Sequence, residues 1–209
     1  MELSNYYDAK TKTLTVRWDY NEKIINLPPG VKTLIFNDDY TYGGISKFNC
    51  PIDNLPNSIT YLTFGWSFNQ PVEYLPTSII DLTFGHKFNQ QVKKLPPNLK
   101  YLKFGYSFNQ PISEGSLSDS ITHLTFGYNF NQLVDFLPQN IQYLTFGDLF
   151  DKPIDNLPST ITHLIVGISF NQPCVNLPMN LQVIQFYTTI DQPIKLPFGC
   201  KSYFLIKKD

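Results

Sequence analysis

The residues best equipped for chemistry in this 209-residue sequence are few: three histidines, three cysteines and seventeen acidic side chains. A zinc site needs His, Cys or carboxylate ligands at about 2 Å from one ion. His123 and His163 recur in one outward slot of a repeated phrase, but Tyr143 holds that slot between them. At strand spacing they stand ~10 Å apart, too far to share a metal. His86 falls in a different slot. Cys50 sits in a turn slot, while Cys174 and Cys200 occupy slots otherwise held by Val or Ile, so two of the three read as small core residues. An odd number at wide spacing argues against a disulfide framework. Asp53 and Glu73, followed in the same column by Lys93, suit a solvated charge row better than an acid pair, because no pocket-forming feature accompanies them. No phosphate loop or nucleophile motif appears. The expectation is a chain without catalytic residues, metal or cofactor.

What must position these residues is a repeat. Residues 61–80 read YLTFGWSFNQPVEYLPTSII and residues 81–100 read DLTFGHKFNQQVKKLPPNLK. Leu14, Leu34, Leu62, Leu82, Leu102, Leu124, Leu144, Leu164 and Ile184 share one slot, with steps of 20, 28, 20, 20, 22, 20, 20 and 20 residues. A worn tenth copy is expected at Tyr203, one residue early. Phe64 and its equivalents follow two slots later, and Phe68, Val72 and Leu75 mark three further columns. In Tyr61-Leu62-Thr63-Phe64 the alternation is that of a short half-buried strand. Pro71 and Pro76 exclude a regular helix on the return path. Each coil is therefore one short strand, a turn and an extended return, and stacked coils form one parallel sheet. Leu62, Phe64, Phe68, Val72, Leu75 and Ile79 are the expected core of one coil. Asn69 and its equivalents, replaced by Asp151 and Asp191 in two coils, read as a turn ladder that needs a side-chain acceptor. Gly65 and its equivalents give way to Arg17, Asn37 and Tyr187 near the ends, so close approach between coils explains them better than positive φ.

The phrase F-N-Q-P-[IV]-x-x-L-P-x-x-[IL]-x-x-L-x-F-G resembles the FNIP repeat, a relative of the leucine-rich repeat in proteins of amoebae and of large DNA viruses that infect them. The likeness runs from residue 14 to about 195. Gln91 and Leu133 replace the motif Pro, and Leu117-Ser118 replaces Leu-Pro. The resemblance implies a leucine-rich-repeat-like solenoid, and the columns make it mainly β, with about nine to ten 20-residue coils, Pro-rich extended returns and, in YYDAKTKTLTV over 6–16, an N-terminal capping hairpin. It also implies a protein-binding role. In many relatives such repeats follow an F-box and serve as substrate receptors of a ubiquitin ligase; here the first coil starts near residue 14, with no F-box expected ahead of it. A viral origin would place the protein in the host cytoplasm.

Residues 1–209 read as one solenoid domain, with a cap hairpin over 1–13, repeats over 14–195 and a C-terminal cap over 196–209. A net charge of -1 argues against the basic field that drives nucleic-acid binding. No apolar run approaches a membrane span, and no signal-peptide pattern opens the chain, so an intracellular, cytoplasmic location without membrane association is expected.

Function then falls to the positions the repeat leaves free. One outward row runs through Tyr61, Asp81, Tyr101, His123, Tyr143 and His163, with Lys103 in its companion row. A third row, after the Gly slot, reads Trp18, Asp38, Trp66, His86, Tyr106, Tyr128 and Asp148. This Tyr, Trp, His and Thr surface suits contact with a protein, centred on Tyr101, His123 and Tyr143. Trp18, Trp66, Tyr106 and Tyr128 could instead stack sugars, which would make the chain a glycan- or surface-binding structural protein. An eight-residue insertion within 37–47, carrying Tyr40 and Tyr42, reads as a protruding recognition loop. The extra residues in 113–120 read as a kink or relaxed turn. Aromatic-rich ends leave a homodimer as a further expectation.

Overall fold

The computed structural model describes residues 7–38 and 44–205. Eleven strands form one sheet in chain order. They are β1 (Tyr7–Asp8), β2 (Thr13–Val16), β3 (Thr33–Phe36), β4 (Tyr61–Thr63), β5 (Asp81–Thr83), β6 (Tyr101–Lys103), β7 (His123–Thr125), β8 (Tyr143–Thr145), β9 (His163–Val166), β10 (Val183–Phe186) and β11 (Lys201–Phe204). β1 runs antiparallel to β2, as the hairpin reading requires, and its turn is tied by Asp8, whose carboxylate accepts from the Lys10 and Thr11 N–H groups and the Thr11 hydroxyl. Every later pair is parallel, and from β2 to β10 the Leu slot faces the Leu slot of its neighbour, as in Leu82↔Leu102 and Leu102↔Leu124. The 28- and 22-residue steps are thus absorbed in the connections without a register slip, which would turn the apolar face outward.

The core is a continuous stack. Phe64, Phe68, Phe84, Phe88, Phe104 and Phe108 are each at most 2% exposed, with Leu62, Val72 and Ile79 buried beside them and Leu75 partly buried. Phe64 and Phe68 stack within their coil at 3.7 Å, while Phe64 meets Phe84 at 5.6 Å and Phe68 meets Phe88 at 6.2 Å across coils. Burying each such ring contributes about 1.5–3 kcal/mol.

Two polar or backbone devices set the repeat. Asn89 Oδ1 accepts from the Asn109 N–H at 2.9 Å and from Gln110 Nε2 at 3.1 Å, and the same pattern climbs the array. Asp151 keeps both bonds, accepting from the Asn171 N–H and from Gln172 Nε2. The acceptor is therefore the functional part of the side chain. At the Gly slot, a Cβ on Gly105 would collide with the Gly85 carbonyl, and one on Gly127 with the Gly105 carbonyl, although neither glycine has positive φ. Backbone approach between coils fixes these glycines.

Two placements differ from the sequence reading. The Lys87 N–H donates to the Trp66 carbonyl and the Ser67 N–H donates to the Ser46 carbonyl, so Ser46 rather than Asp38 holds the third-row slot of its coil. Asp38 instead reaches across and accepts from the N–H groups of Ser46 and Trp66. At the far end Ser202, not Tyr203, pairs with Ile184, so the tenth copy begins two residues before a 20-residue step would place it, with a serine in the Leu slot. Tyr40 and Tyr42 lie outside the described residues.

Candidate functional site

Outward positions of consecutive strands stand one strand spacing apart, which is also the distance at which flat rings stack. The outward aromatics suit either a contact surface or cross-strand ladders that stabilise the sheet; the structure joins them into two ladders that run through His and Trp as well as Tyr. In the first, Tyr101 meets His123 at 4.6 Å, His123 meets Tyr143 at 4.4 Å, and Tyr143 meets His163 at 4.6 Å. In the second, Trp66 meets His86 at 3.7 Å, His86 meets Tyr106 at 4.5 Å, and Tyr106 meets Tyr128 at 4.6 Å. Trp18 stands apart, because Ser46 separates it from Trp66; its own ring takes the Lys47 ammonium at 5.2 Å. Tyr61 is exposed at the start of the first row, and Asp81 breaks that row before Tyr101. Lys103 lies exposed on β6 beside the first ladder.

Stacking fixes what the face can offer. An interior ring is covered on both sides by its neighbours, so its edge and polar atoms remain. His123 and His163 share a local device that the sequence reading passed over, although Ile-Thr-His-Leu at 121–124 and 161–164 is its visible signal. Thr122 Oγ1 lies 2.9 Å from His123 Nδ1 and 3.4 Å from the Lys100 carbonyl, and Thr162 lies 2.9 Å from His163 Nδ1 and 3.2 Å from the Gln142 carbonyl. Each Thr hydroxyl is thus within reach of both a backbone carbonyl and the neighbouring ring nitrogen, which ties the orientation of the imidazole to its own strand. Burial pushes the His123 pKa down. It does the same for His86, where Lys87 adds to the effect and Asp38 opposes it. Nδ1 of His86 is buried without a hydrogen-bond partner. Burial raises the Asp81 carboxyl above its ordinary value.

The remaining chemical residues stay apart. Among the described residues there is no group of three His, Cys, Asp or Glu that could hold a metal ion. Glu73 and Lys93 form an exposed ion pair at 2.7 Å, the charge row expected of that column. Cys174 is buried and its thiol is pushed up to about 11, chiefly by desolvation, which leaves it a poor nucleophile. On the return side, a shallow hollow of about 530 Å³ opens beside the irregular 113–120 segment, between Lys94, Glu114, Asp119 and Phe136. Among the described residues no helix is long and apolar enough to cross a membrane.

Comparison with known proteins agrees with this architecture. The crystal structure of CroV588, described as a novel circular LRR protein structure, matches with a TM-score of 0.78 and 37% identity over 92% of this chain and 33% of that one. The chain thus spans about a third of that neighbour's length. No curated protein matches the sequence. The family model of the FNIP Repeat matches residues 48–87, 72–107, 88–117, 108–149 and 133–169. With more than half of its length matched, the chain belongs to the FNIP repeat family.

Proposed function

We propose that the protein is a non-catalytic interaction scaffold that binds a protein partner through the outward face of its parallel sheet, in the manner of a recruitment module for ubiquitin-type assemblies. The observation that carries the reading is the pair of aromatic ladders, which line up eight rings in two stacked rows along the array. Preordered aromatics supply contact area without the entropy cost of freezing mobile side chains. The repeat solenoid is a fold typical of such scaffolds. The ubiquitin role rests on the family resemblance alone. A glycan-binding face is the weaker alternative: sugar stacking needs free ring faces, and those of His86 and Tyr106 are occupied by their neighbours.

Affinity capture from cell lysate with mass spectrometry, comparing the native chain with a folded Tyr101→Ser/His123→Ser/Tyr143→Ser variant, tests the reading. A partner captured by the native chain and lost from the variant is expected, and ubiquitin-ligase subunits among the captured proteins would support the recruitment role. Identical captures from both would remove the sheet face from consideration.

A further inference from the structure

The charges of the central coils are sorted by side. Along the strand stretches 60–67, 80–87, 100–107 and 122–129 the charged residues are Lys87, Lys100 and Lys103 against Asp81 alone. Along the returns 68–79, 88–99, 108–121 and 130–141 they are Glu73, Glu114, Asp119 and Asp135 against Lys93 and Lys94. A chain of net charge -1 therefore presents a sheet side that is positive at its centre and a return side that is negative. Lys87, Lys100 and Lys103 are exposed, and among the described residues no carboxylate forms an ion pair with them. They flank the ladders: Lys100 precedes Tyr101, Lys103 lies beside it, and Lys87 follows His86. Asp148, in the next coil, bounds the patch.

We infer that the centre of this face, from β5 to β7, takes an extended acidic peptide whose carboxylates meet Lys87, Lys100 and Lys103 and the hydroxyl edges of Tyr101 and Tyr106. The inference rests on the sheet face being the binding surface and adds the chemistry of the partner. Charge complementarity selects the sign. The ladders favour peptide over nucleic acid: single-stranded nucleic acid gains much of its affinity by stacking bases on free aromatic faces, and within the patch His86, Tyr106 and His123 have both faces covered while only end rings such as Tyr101 and Tyr128 keep one. Three lysines are also too few for the phosphate neutralisation that drives nucleic-acid binding.

The test is fluorescence anisotropy of the full chain with a fluorescein-labelled peptide of ten aspartates, beside a labelled oligothymidylate. Saturable peptide binding is expected, weakened about 10-fold by Lys100→Glu/Lys103→Glu and left unchanged by Lys93→Glu/Lys94→Glu on the return side, each variant first shown to melt like the native chain. Absence of saturable binding, equal losses in both variants, or tighter binding of the oligothymidylate would overturn the inference. The outcome separates from that of the broader reading. Charge reversal leaves the rings intact, so a captured partner lost from the Tyr101/His123/Tyr143 variant but retained by Lys100→Glu/Lys103→Glu would keep the sheet face and discard the acidic partner.

Discussion

The protein carries stacked rings on both sides of its sheet, and the two sets behave differently. Inside, the ladder is Phe after Phe, each essentially without exposure. Outside, Tyr, His and Trp alternate, and Tyr101 and Tyr143 remain 44% and 41% exposed. The same strand spacing imposes stacking on both. Burial alone decides which ladder holds the fold: a ring with no water on any side contributes its full transfer energy, whereas an exposed ring contributes mainly its contact with two neighbours.

The sharpest way to break this contrast is Phe104→Ala, which empties a site between Phe84, Phe108 and Phe126 and should cost about 3–5 kcal/mol by denaturant unfolding. A loss near that of an exposed ring would refute it. Next comes the polar ladder, which separates shape from hydrogen bonding. Asn109→Leu strands the Asn131 N–H and Gln132 Nε2 and should cost about 1–3 kcal/mol, while Asn109→Asp keeps the acceptor and should cost far less. Tyr143→Ser removes two outer stacking contacts and should cost only about 0.5–1.5 kcal/mol, with the folded state retained.

The smallest effect is on pH. The His86 and His123 pKa values lie below their ordinary position because burial penalises the charged ring. The unfolded chain then binds more protons, so their contribution to stability is complete above the ordinary His value and is lost as pH falls through and below it. Around His123 stand Tyr101 and Lys103 on β6, Tyr143 and Thr145 on β8 and its own Thr122, with no carboxylate among them to hold the added proton. The melting temperature should fall by about 1–3 °C between about pH 7 and about pH 5, and His86→Phe/His123→Phe should flatten that slope. Asp81 acts with the opposite sign and at lower pH, its raised carboxyl favouring the fold when protonated.

Most of the architecture was legible because the repeat states it many times over. Leu-x-Phe alternation gave the strands, the columns gave the register, and Asp151 among the asparagines revealed that an acceptor was required. Asp38 was misplaced because the length of an insertion does not say where the chain rejoins its coil; only the hydrogen bonds of Ser46 do. The last strand departs from the columns because backbone pairing sets Ser202 opposite Ile184, so a serine fills the apolar slot while Tyr203 and Phe204 fall one and two residues beyond it. The outward rows and the possibility of cross-strand ladders were legible, but not which rings stack, because that is a property of neighbouring coils and appears in no single phrase. The sorting of charge between faces lies in the slot positions of lysine and glutamate and likewise appears in no single phrase.

The ladder spacings have one more consequence. Rings at the outward tips of the first ladder lie 4.4–4.6 Å apart, the Phe64 to Phe84 step near the sheet is 5.6 Å, and the Phe68 to Phe88 step on the return is 6.2 Å. Ring centres that sit closer on the outward side than on the return are the pattern that a stack curved toward its sheet side would give. A partner laid along that side meets several neighbouring coils at once, so its contacts are spread over the array rather than held by one repeat.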